Sequence, residues 1–139
     1  MGKILRLNTE SLEFEELNTS DIIVGCRELM EAVGGYFERV TFNKRLCENN
    51  IDVFVNEEGK LINLDLSVVI VNQNNVVETL AGDIVFAGRR NNETLPLTEN
   101  QIEIIKEELE RKINITYLKN DSKERHKKVV RILNFGWKS

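Results

Sequence analysis

The amino-acid sequence predicts an α+β fold: an antiparallel sheet of five or more strands combined with two main helices, at about residues 20–33 and 98–112. Three observations lead to this prediction. Apolar residues recur at helical spacing in those two ranges, whereas much of the chain between them alternates between apolar and polar residues, as strands do. The change between the patterns is sharp, because Gly34-Gly35 ends the first helical pattern and a strand pattern starts at Tyr36.

The composition indicates a single globular domain of residues 1–139. Hydrophobic residues make up 41% of the chain and charged residues 30%, which is typical of globular proteins. Two cysteines and one histidine are too few for a disulfide framework or a zinc site. No apolar run is long enough to span a membrane, and the first seven residues are too short for a signal peptide. We therefore expect a cytoplasmic protein without a metal, a cofactor or a membrane partner.

The net charge of −4 is distributed unevenly along the chain. Residues 111–139 contain nine basic and two acidic residues, a net charge of +7, whereas the preceding residues contain ten basic and twenty-one acidic residues, a net charge of −11. Two interpretations account for a basic tail of this kind. Either it contacts an anionic partner, or it docks on the acidic face of its own protein.

The N-terminal third is predicted to form two strands and a helix. Residues 3–7 are short and apolar, and residues 12–15 alternate as the edge partner in a hairpin would. Residues 19–21 supply helix caps, and Gly34 supplies the left-handed residue that ends the helix. Gly25 lies inside this predicted helix and weakens it by about 1 kcal/mol relative to alanine. The apolar face of the helix is predicted to consist of Ile22, Cys26, Leu29, Met30 and Val33.

The middle of the chain is predicted to form strands joined by polar loops. Residues 36–42 alternate, although Glu38 falls on the more apolar side of that strand. A polar loop follows at residues 43–50, and Gly59 then joins two further strands as a hairpin turn. The strands predicted after the loop are residues 51–55, 60–66 and 81–88, and residues 67–71 form either a strand or a short buried turn.

The second helix is predicted from a capping box, in which Thr98 caps the helix and Gln101 stands three residues later. Its apolar residues Ile102, Ile105 and Leu109 face inward, with charged residues outward. After this helix, residues 113–118 are predicted to form a strand and residues 129–135 a closing strand or helix.

Four stretches occur in a characteristic order: Val33-Gly-Gly-Tyr-Phe-Glu, Asn56-Glu-Glu-Gly-Lys-Leu, Leu80-Ala-Gly-Asp-Ile-Val-Phe-Ala-Gly and Leu97-Thr-Glu-Asn-Gln-Ile. Together they resemble domain of unknown function 3846, a family of small bacterial and phage proteins. The resemblance covers about residues 1–109 and leaves residues 110–139 as a basic extension. It implies a compact α+β domain and frequent phage or mobile-element origin, with no settled activity and no catalytic residues. Residues 63–71 depart from the short proline- and asparagine-containing segment that the family tends to have.

No combination of residues typical of a catalytic site is present. The single histidine, His126, stands among lysines and arginines, which favours exposure over a catalytic pocket. Cys26 is expected to be a core thiol, and Cys47 to lie in a polar loop with only neighbouring basic residues to activate it. Paired carboxylates such as Glu107-Glu108 are expected to be solvated. The sequence therefore predicts a protein that is not an enzyme.

Basic and aromatic residues indicate a candidate binding site. Arg89-Arg90 stands at the end of a glycine-bounded strand, where it either binds a phosphate or carboxylate or forms a solvated hairpin tip. The tail mixes charge with stacking surface, which suits a nucleotide or single-stranded nucleic acid and also suits a solvated amphipathic terminus. The predicted ligand contacts, at a boundary between the subunits of a homo-oligomer, are Arg39, Arg89, Arg90, Arg131 and Trp137.

Three functional hypotheses follow. The leading one is a non-catalytic binding protein, encoded by a phage or mobile element, that sequesters a small anionic, nucleotide-like ligand in the host cytoplasm and so counters a host defence. The second is an inhibitor that binds a host protein through an acidic surface, with Glu13, Glu15 and Glu16 standing in for phosphates. The third is nucleic-acid binding through the basic tail.

Overall fold

The computed structural model describes the backbone of residues 2–8, 11, 13–40, 44–58, 66–72, 75–120 and 125–133, and the side chains of residues 2–8, 11, 13–40, 45–58 and 82–109. Within these residues the chain forms ten strands and three helices. In chain order they are β1 (Gly2–Leu7), β2 (Phe14–Thr19), α1 (Cys26–Val33), β3 (Phe37–Val40), α2 (Lys44–Glu48), β4 (Ile51–Asn56), β5 (Leu66–Asn72), β6 (Asn75–Ala81), β7 (Ile84–Arg90), β8 (Glu93–Leu95), α3 (Glu99–Lys112), β9 (Ile113–Asn120) and β10 (Arg125–Leu133).

The strands form two sheets. The first has the order β2-β1-β7-β4-β3, with β8 paired to β7, and every pair in it is antiparallel. This confirms the predicted α+β fold with an antiparallel sheet of five or more strands, and it confirms the edge position of the second strand. The second sheet has the order β6-β5-β10-β9 and contains one parallel pair, β5–β10, which the sequence did not predict. Residues 67–71 and the closing segment are both strands.

The first sheet is a central layer, covered by α1 on one face and by α2 and α3 on the other. Successive side chains of a strand point to opposite faces, and β7 shows the consequence. Ile84 and Phe86 pack with residues of α2 and α3, whereas Val85 and Ala87 pack with residues of α1. A strand covered on both faces reads as a continuous apolar run, which explains why residues 84–87 have no polar position.

Helix α1 starts later than the predicted capping residues. The N–H of Val24 donates to the carbonyl of Thr94 on β8 (2.8 Å), which ties the chain before the helix to the sheet in a non-helical conformation. Gly25 follows with φ −83° and ψ 167°, and its N–H donates to Oε1 of Glu28 (3.1 Å). Gly25 is therefore the residue before the helix, and the predicted weakening of a helix interior does not apply.

The late start also overturns two predicted core positions. Ile22 is 74% exposed and Cys26 is exposed, because the first lies before the helix and the second in its first turn. Leu29 and Val33 are buried as predicted. The helix ends at Gly34 with φ 80°, the left-handed conformation that glycine adopts without a steric penalty.

Two further predictions are settled in the middle of the chain. The predicted polar loop at residues 43–50 contains a short helix, α2, because Leu46 is buried against α3 and Arg45 forms ion pairs with Glu107 (3.0 Å) and Glu108 (3.6 Å). The neighbours of β4 in the described structure are β3 and β7, and Leu66 of the predicted hairpin partner begins β5 in the second sheet. Residues 59–65 lie outside the described residues.

The capping box of α3 is confirmed. The hydroxyl of Thr98 accepts the N–H of Gln101 (3.1 Å), and Oε1 of Gln101 accepts the N–H of Thr98 (2.9 Å). Ile102, Ile105 and Leu109 are buried as predicted. Among the helices of the described residues, none has the length and apolar character needed to cross a membrane.

Candidate functional site

Strand register brings two predicted ligand contacts to one place. Arg39 of β3 lies opposite Phe54 of β4, and Asp52 of β4 lies opposite Ala87 of β7. Because side chains alternate, Arg39, Asp52 and Arg89 point to the same face of the first sheet as α1. Each arginine is therefore a diagonal neighbour of Asp52 on the adjacent antiparallel strand. Long side chains can bridge the distance between diagonal neighbours.

The carboxylate of Asp52 interacts with the guanidinium groups of both Arg39 and Arg89. Nη1 of Arg89 donates to Oδ1 of Asp52 (2.8 Å), and Nη1 of Arg39 lies 3.7 Å from Oδ2. The side chain of Asp52 is 5% exposed, whereas that of Arg89 is 27% and that of Arg39 is 58% exposed. A buried carboxylate is costly unless it is paired, so the two arginines stabilise Asp52 and are in turn fixed by it.

A pocket of about 210 Å³ opens at these three residues, and we call it the arginine pocket. One wall is the tight turn between β7 and β8, where Asn91 has φ 56°, a left-handed conformation that asparagine tolerates better than most residues. The floor includes Phe54, whose ring packs edge-on against Phe37 at 5.4 Å between centroids. The lining residues are Arg39, Asp52, Phe54, Arg89, Asn91, Asn92, Glu93 and Thr94.

Of the other predicted contacts, Arg90 is the one whose side chain the structure describes, and it is placed outside this pocket. Arg90 is exposed, and it lies opposite Glu93 on the β7–β8 hairpin without lining the pocket. Arg131 belongs to β10, where it lies opposite Val69 and Asn114, but its side chain is outside the described residues. Trp137 also lies outside them.

Sequence reasoning missed Asp52, which organises the pocket. The signal was present: Asp52 is the only charged residue in the run Ile51-Asp-Val-Phe-Val55. A buried charge in a strand requires a partner, and this would have pointed to an arginine on a neighbouring strand.

The acidic cluster proposed as a phosphate mimic is partly used within the protein. Oε1 of Glu15 accepts from Nε of Arg6 (3.0 Å) and from Asn8 (3.1 Å), and these hydrogen bonds hold the pKa of Glu15 below its ordinary value. Glu16 pairs with Lys3 (3.1 Å). Of the three, Glu13 forms no side-chain hydrogen bond or ion pair with another residue that the structure describes.

A metal-binding cluster and a reactive cysteine are the two other kinds of site to consider among the described residues. No group of three or more His, Cys, Asp or Glu residues in that part of the chain is arranged to hold a metal ion. Cys26 was expected in the core and is exposed, and Cys47 is half-buried on α2.

The comparisons with known proteins give one match. The profile of a family described as a domain of unknown function, DUF3846, matches residues 2–110. Searches of curated proteins and of solved structures found nothing that matches the chain.

Proposed function

The chain belongs to the DUF3846 family, and we propose that it is a non-catalytic binding protein whose arginine pocket captures a small anionic, nucleotide-like ligand by a phosphate or carboxylate group. The observation that carries this proposal is the convergence of Arg39 and Arg89 on Asp52. Two cations from different strands are held at one pocket, where an anion can reach both.

The donor inventory favours an anion. Each guanidinium has five N–H donors in a planar fork that matches the oxygens of phosphate or carboxylate. Asp52 takes one hydrogen bond from Arg89 and a longer ion pair from Arg39, so most of these donors remain available to a ligand. Asn91 and Asn92 line the same pocket, and an asparagine side chain can supply neutral donors.

The size of the pocket limits how much of the ligand it holds. Its volume of about 210 Å³ is below the range of roughly 300–1,000 Å³ that is usual for pockets enclosing a drug-sized ligand. We therefore assign to it the anionic group and the atoms next to it, with the rest of a nucleotide extending beyond the pocket.

The lining argues for binding over turnover. Its ionisable residues are Arg39, Arg89, Asp52 and Glu93, and Asp52 is engaged by both arginines. Among the described residues that line the pocket there is no histidine, cysteine or lysine, and the candidate general base for the hydroxyl of Thr94 is the carboxylate of Glu93, which is exposed and so lacks the buried setting that makes a carboxylate an effective base. In this proposal the ligand leaves unchanged.

The biological setting of the proposal comes from the family resemblance. A phage or mobile-element protein with this pocket would withhold its ligand from a host defence in the host cytoplasm, as part of a homo-oligomer. The alternative of an inhibitor acting through its acidic surface is less well supported, because Glu15 and Glu16 already pair with Arg6 and Lys3.

Titration calorimetry with matched variants tests the proposal. Inorganic phosphate, adenosine monophosphate and a cyclic dinucleotide serve as probes for the wild type, Arg39→Gln and Arg27→Gln. Arg39 is the more exposed arginine of the pocket, so its replacement should leave the fold intact, and Arg27 is an exposed arginine on α1 away from the pocket.

We expect saturable binding of at least one probe. Losing a charged hydrogen bond of about 1.5–3 kcal/mol should weaken that binding by roughly 10–100-fold in Arg39→Gln, with little change in Arg27→Gln. Equal losses in the two variants, or no binding by any probe, would contradict the proposal. Mass spectrometry of the recovered probe checks the claim that the ligand leaves unchanged, since a converted product would show catalysis.

A further inference from the structure

A second pocket, of about 300 Å³, lies between α1 and the β1–β2 hairpin. We infer that this pocket binds the ammonium or guanidinium end of a small aliphatic amine. None of the described residues lines both this pocket and the arginine pocket, and the two differ in character, since Glu28 and Glu31 line this one. We call it the glutamate pocket.

Its floor is apolar. Ile4 and Ala32 are buried and Leu17 is half-buried, and all three belong to the apolar cluster between the first sheet and α1. A floor of this kind suits a short methylene chain, because each buried CH₂ contributes roughly 0.8 kcal/mol. The polar side chains of Asn18 and Thr19 complete the rim on β2.

Glu28 is fixed in position at this pocket. Its Oε1 accepts the N–H of Gly25 (3.1 Å) and its Oε2 accepts the N–H of Ser20 (3.3 Å). Each carboxylate oxygen can accept a further hydrogen bond. The carboxylate is therefore held in place by the backbone and still has capacity for a donor from a ligand.

Glu31 has a position that the stability of the helix does not explain. It follows Glu28 by three residues, a spacing at which like charges repel each other on a helix. It also stands in the last turn of α1, where the helix dipole disfavours an anion. Arg27, four residues earlier, makes no ion pair with it within the described residues. A cation bound between Glu28 and Glu31 would relieve both unfavourable terms.

Arg6, the cation among the described residues that line the glutamate pocket, does not fill this role. Nε of Arg6 lies 3.0 Å from Glu15 and 3.8 Å from Asp83, and its Nη1 donates to the carbonyl of Ala32 (3.3 Å). Its charge is thus offset by carboxylates outside the pocket. Over the described residues the net charge of the lining is −1, from Arg6, Glu28 and Glu31, and it becomes −2 when Glu15, the partner of Arg6, is included.

Putrescine is the probe, and 1,4-butanediol is its uncharged counterpart of the same length. Binding is measured by calorimetry and by amide chemical-shift changes in α1 and β2. Glu31→Gln removes one carboxylate from an exposed position, and Glu103→Gln is the control, an exposed glutamate on α3 at the other face of the sheet. Arg39→Gln serves as a second control, since it changes only the arginine pocket.

We expect saturable putrescine binding that weakens about tenfold or more in Glu31→Gln, as for loss of a charged hydrogen bond, and stays unchanged in both controls. Equal binding of butanediol, equal loss in Glu103→Gln, or no saturable binding would overturn the inference. Tighter binding of the peptide Ac-Gly-Lys-Gly-NH₂ than of putrescine would also overturn it, because the site would then serve a protein side chain.

Discussion

Arg6 and Asp52 show how a single charged residue can join several elements of this fold. Arg6 stands on β1 and contacts Glu15 on β2, the carbonyl of Ala32 in α1, and Asp83. Asp52 joins β3 and β7 through their arginines. In both cases an ionic group replaces apolar packing where two strands and a helix or turn meet.

The pair Arg6–Glu15 predicts a pH dependence of stability. Hydrogen bonds from Arg6 and then Asn8 lower the pKa of Glu15 from 4.5 in the folded state. A lowered pKa gives a contribution that is present above the unfolded value and lost as the pH falls through the folded value. Because Glu15 is 39% exposed, the contribution at pH 7 should be no more than about 1 kcal/mol.

Urea denaturation of Glu15→Gln between pH 7 and pH 3 measures this effect. The variant should be less stable than the wild type at pH 7, and the difference should shrink as the pH falls below about 4.5. Glu13→Gln is the matched control. A difference that stays constant down to pH 3 would show that the ion pair contributes nothing to stability.

The individual residues of the site were only partly predictable. Arg39 and Arg89 could be selected by residue type, because forked donors suit anions. Their meeting point could not, since it depends on which strands pair: Asp52 and Arg89 are 37 positions apart in the sequence. Cys26 was misassigned for a related reason, as its exposure depends on where α1 begins.

The two longer helices, α1 and α3, have similar capping signals in the sequence, but only α3 begins where its signal predicts. Both are preceded by capping residues, and α3 starts where its capping box predicts. In α1 the hydrogen bond from Val24 to Thr94 holds the preceding chain against β8, and tertiary contacts of this kind override local propensity. The helical ends at Gly34 and Lys112, by contrast, were predictable from the local sequence.

The start of α3 predicts unequal effects for its two capping residues. Gln101 also donates through Nε2 to the carbonyls of Asn49 (3.0 Å) and Asn50 (3.2 Å), so it ties α3 to the end of α2. Thr98→Ala should lower the free energy of unfolding by about 1 kcal/mol. Gln101→Ala should lower it further, by about 0.5–1.5 kcal/mol for each additional hydrogen bond lost.

Chemical denaturation of both variants beside Asn100→Ala checks this order. Asn100 is exposed in the same turn, and its replacement should stay within about 0.5 kcal/mol of the wild type. If Gln101→Ala lowered the free energy of unfolding no more than Asn100→Ala does, the hydrogen bonds from Gln101 to Asn49 and Asn50 would contribute nothing to stability.

At the scale of the whole molecule, the strands of the two sheets come from different parts of the sequence. All six strands of the first sheet lie within residues 2–95, inside the range matched by the family. The second sheet combines β5 and β6 from that range with β9 and β10 from the segment that follows it. The fold class was predictable from alternation alone, whereas the parallel pair β5–β10 was not, because nothing local in either strand specifies a partner so distant in the chain.

A truncated chain ending at Lys112 tests how the sheets depend on each other. The first sheet and its helices remain complete, so amide protons of β4 and β7 should stay protected in hydrogen exchange. The hairpin β5–β6 loses its neighbour, and an isolated two-stranded hairpin is marginally stable, so its protection should fall. Loss of protection throughout β4 and β7 would show instead that the first sheet requires β9 and β10.

The pairing of β10 with β5 also sets an order of events during synthesis. The ribosome makes β5 and β6, which end at Ala81, before it makes β10, which begins at Arg125. When β5 leaves the ribosome, the edge that later pairs with β10 is therefore uncovered. That edge is the position at which a second nascent chain, or a chaperone that recognises extended segments, competes with β10.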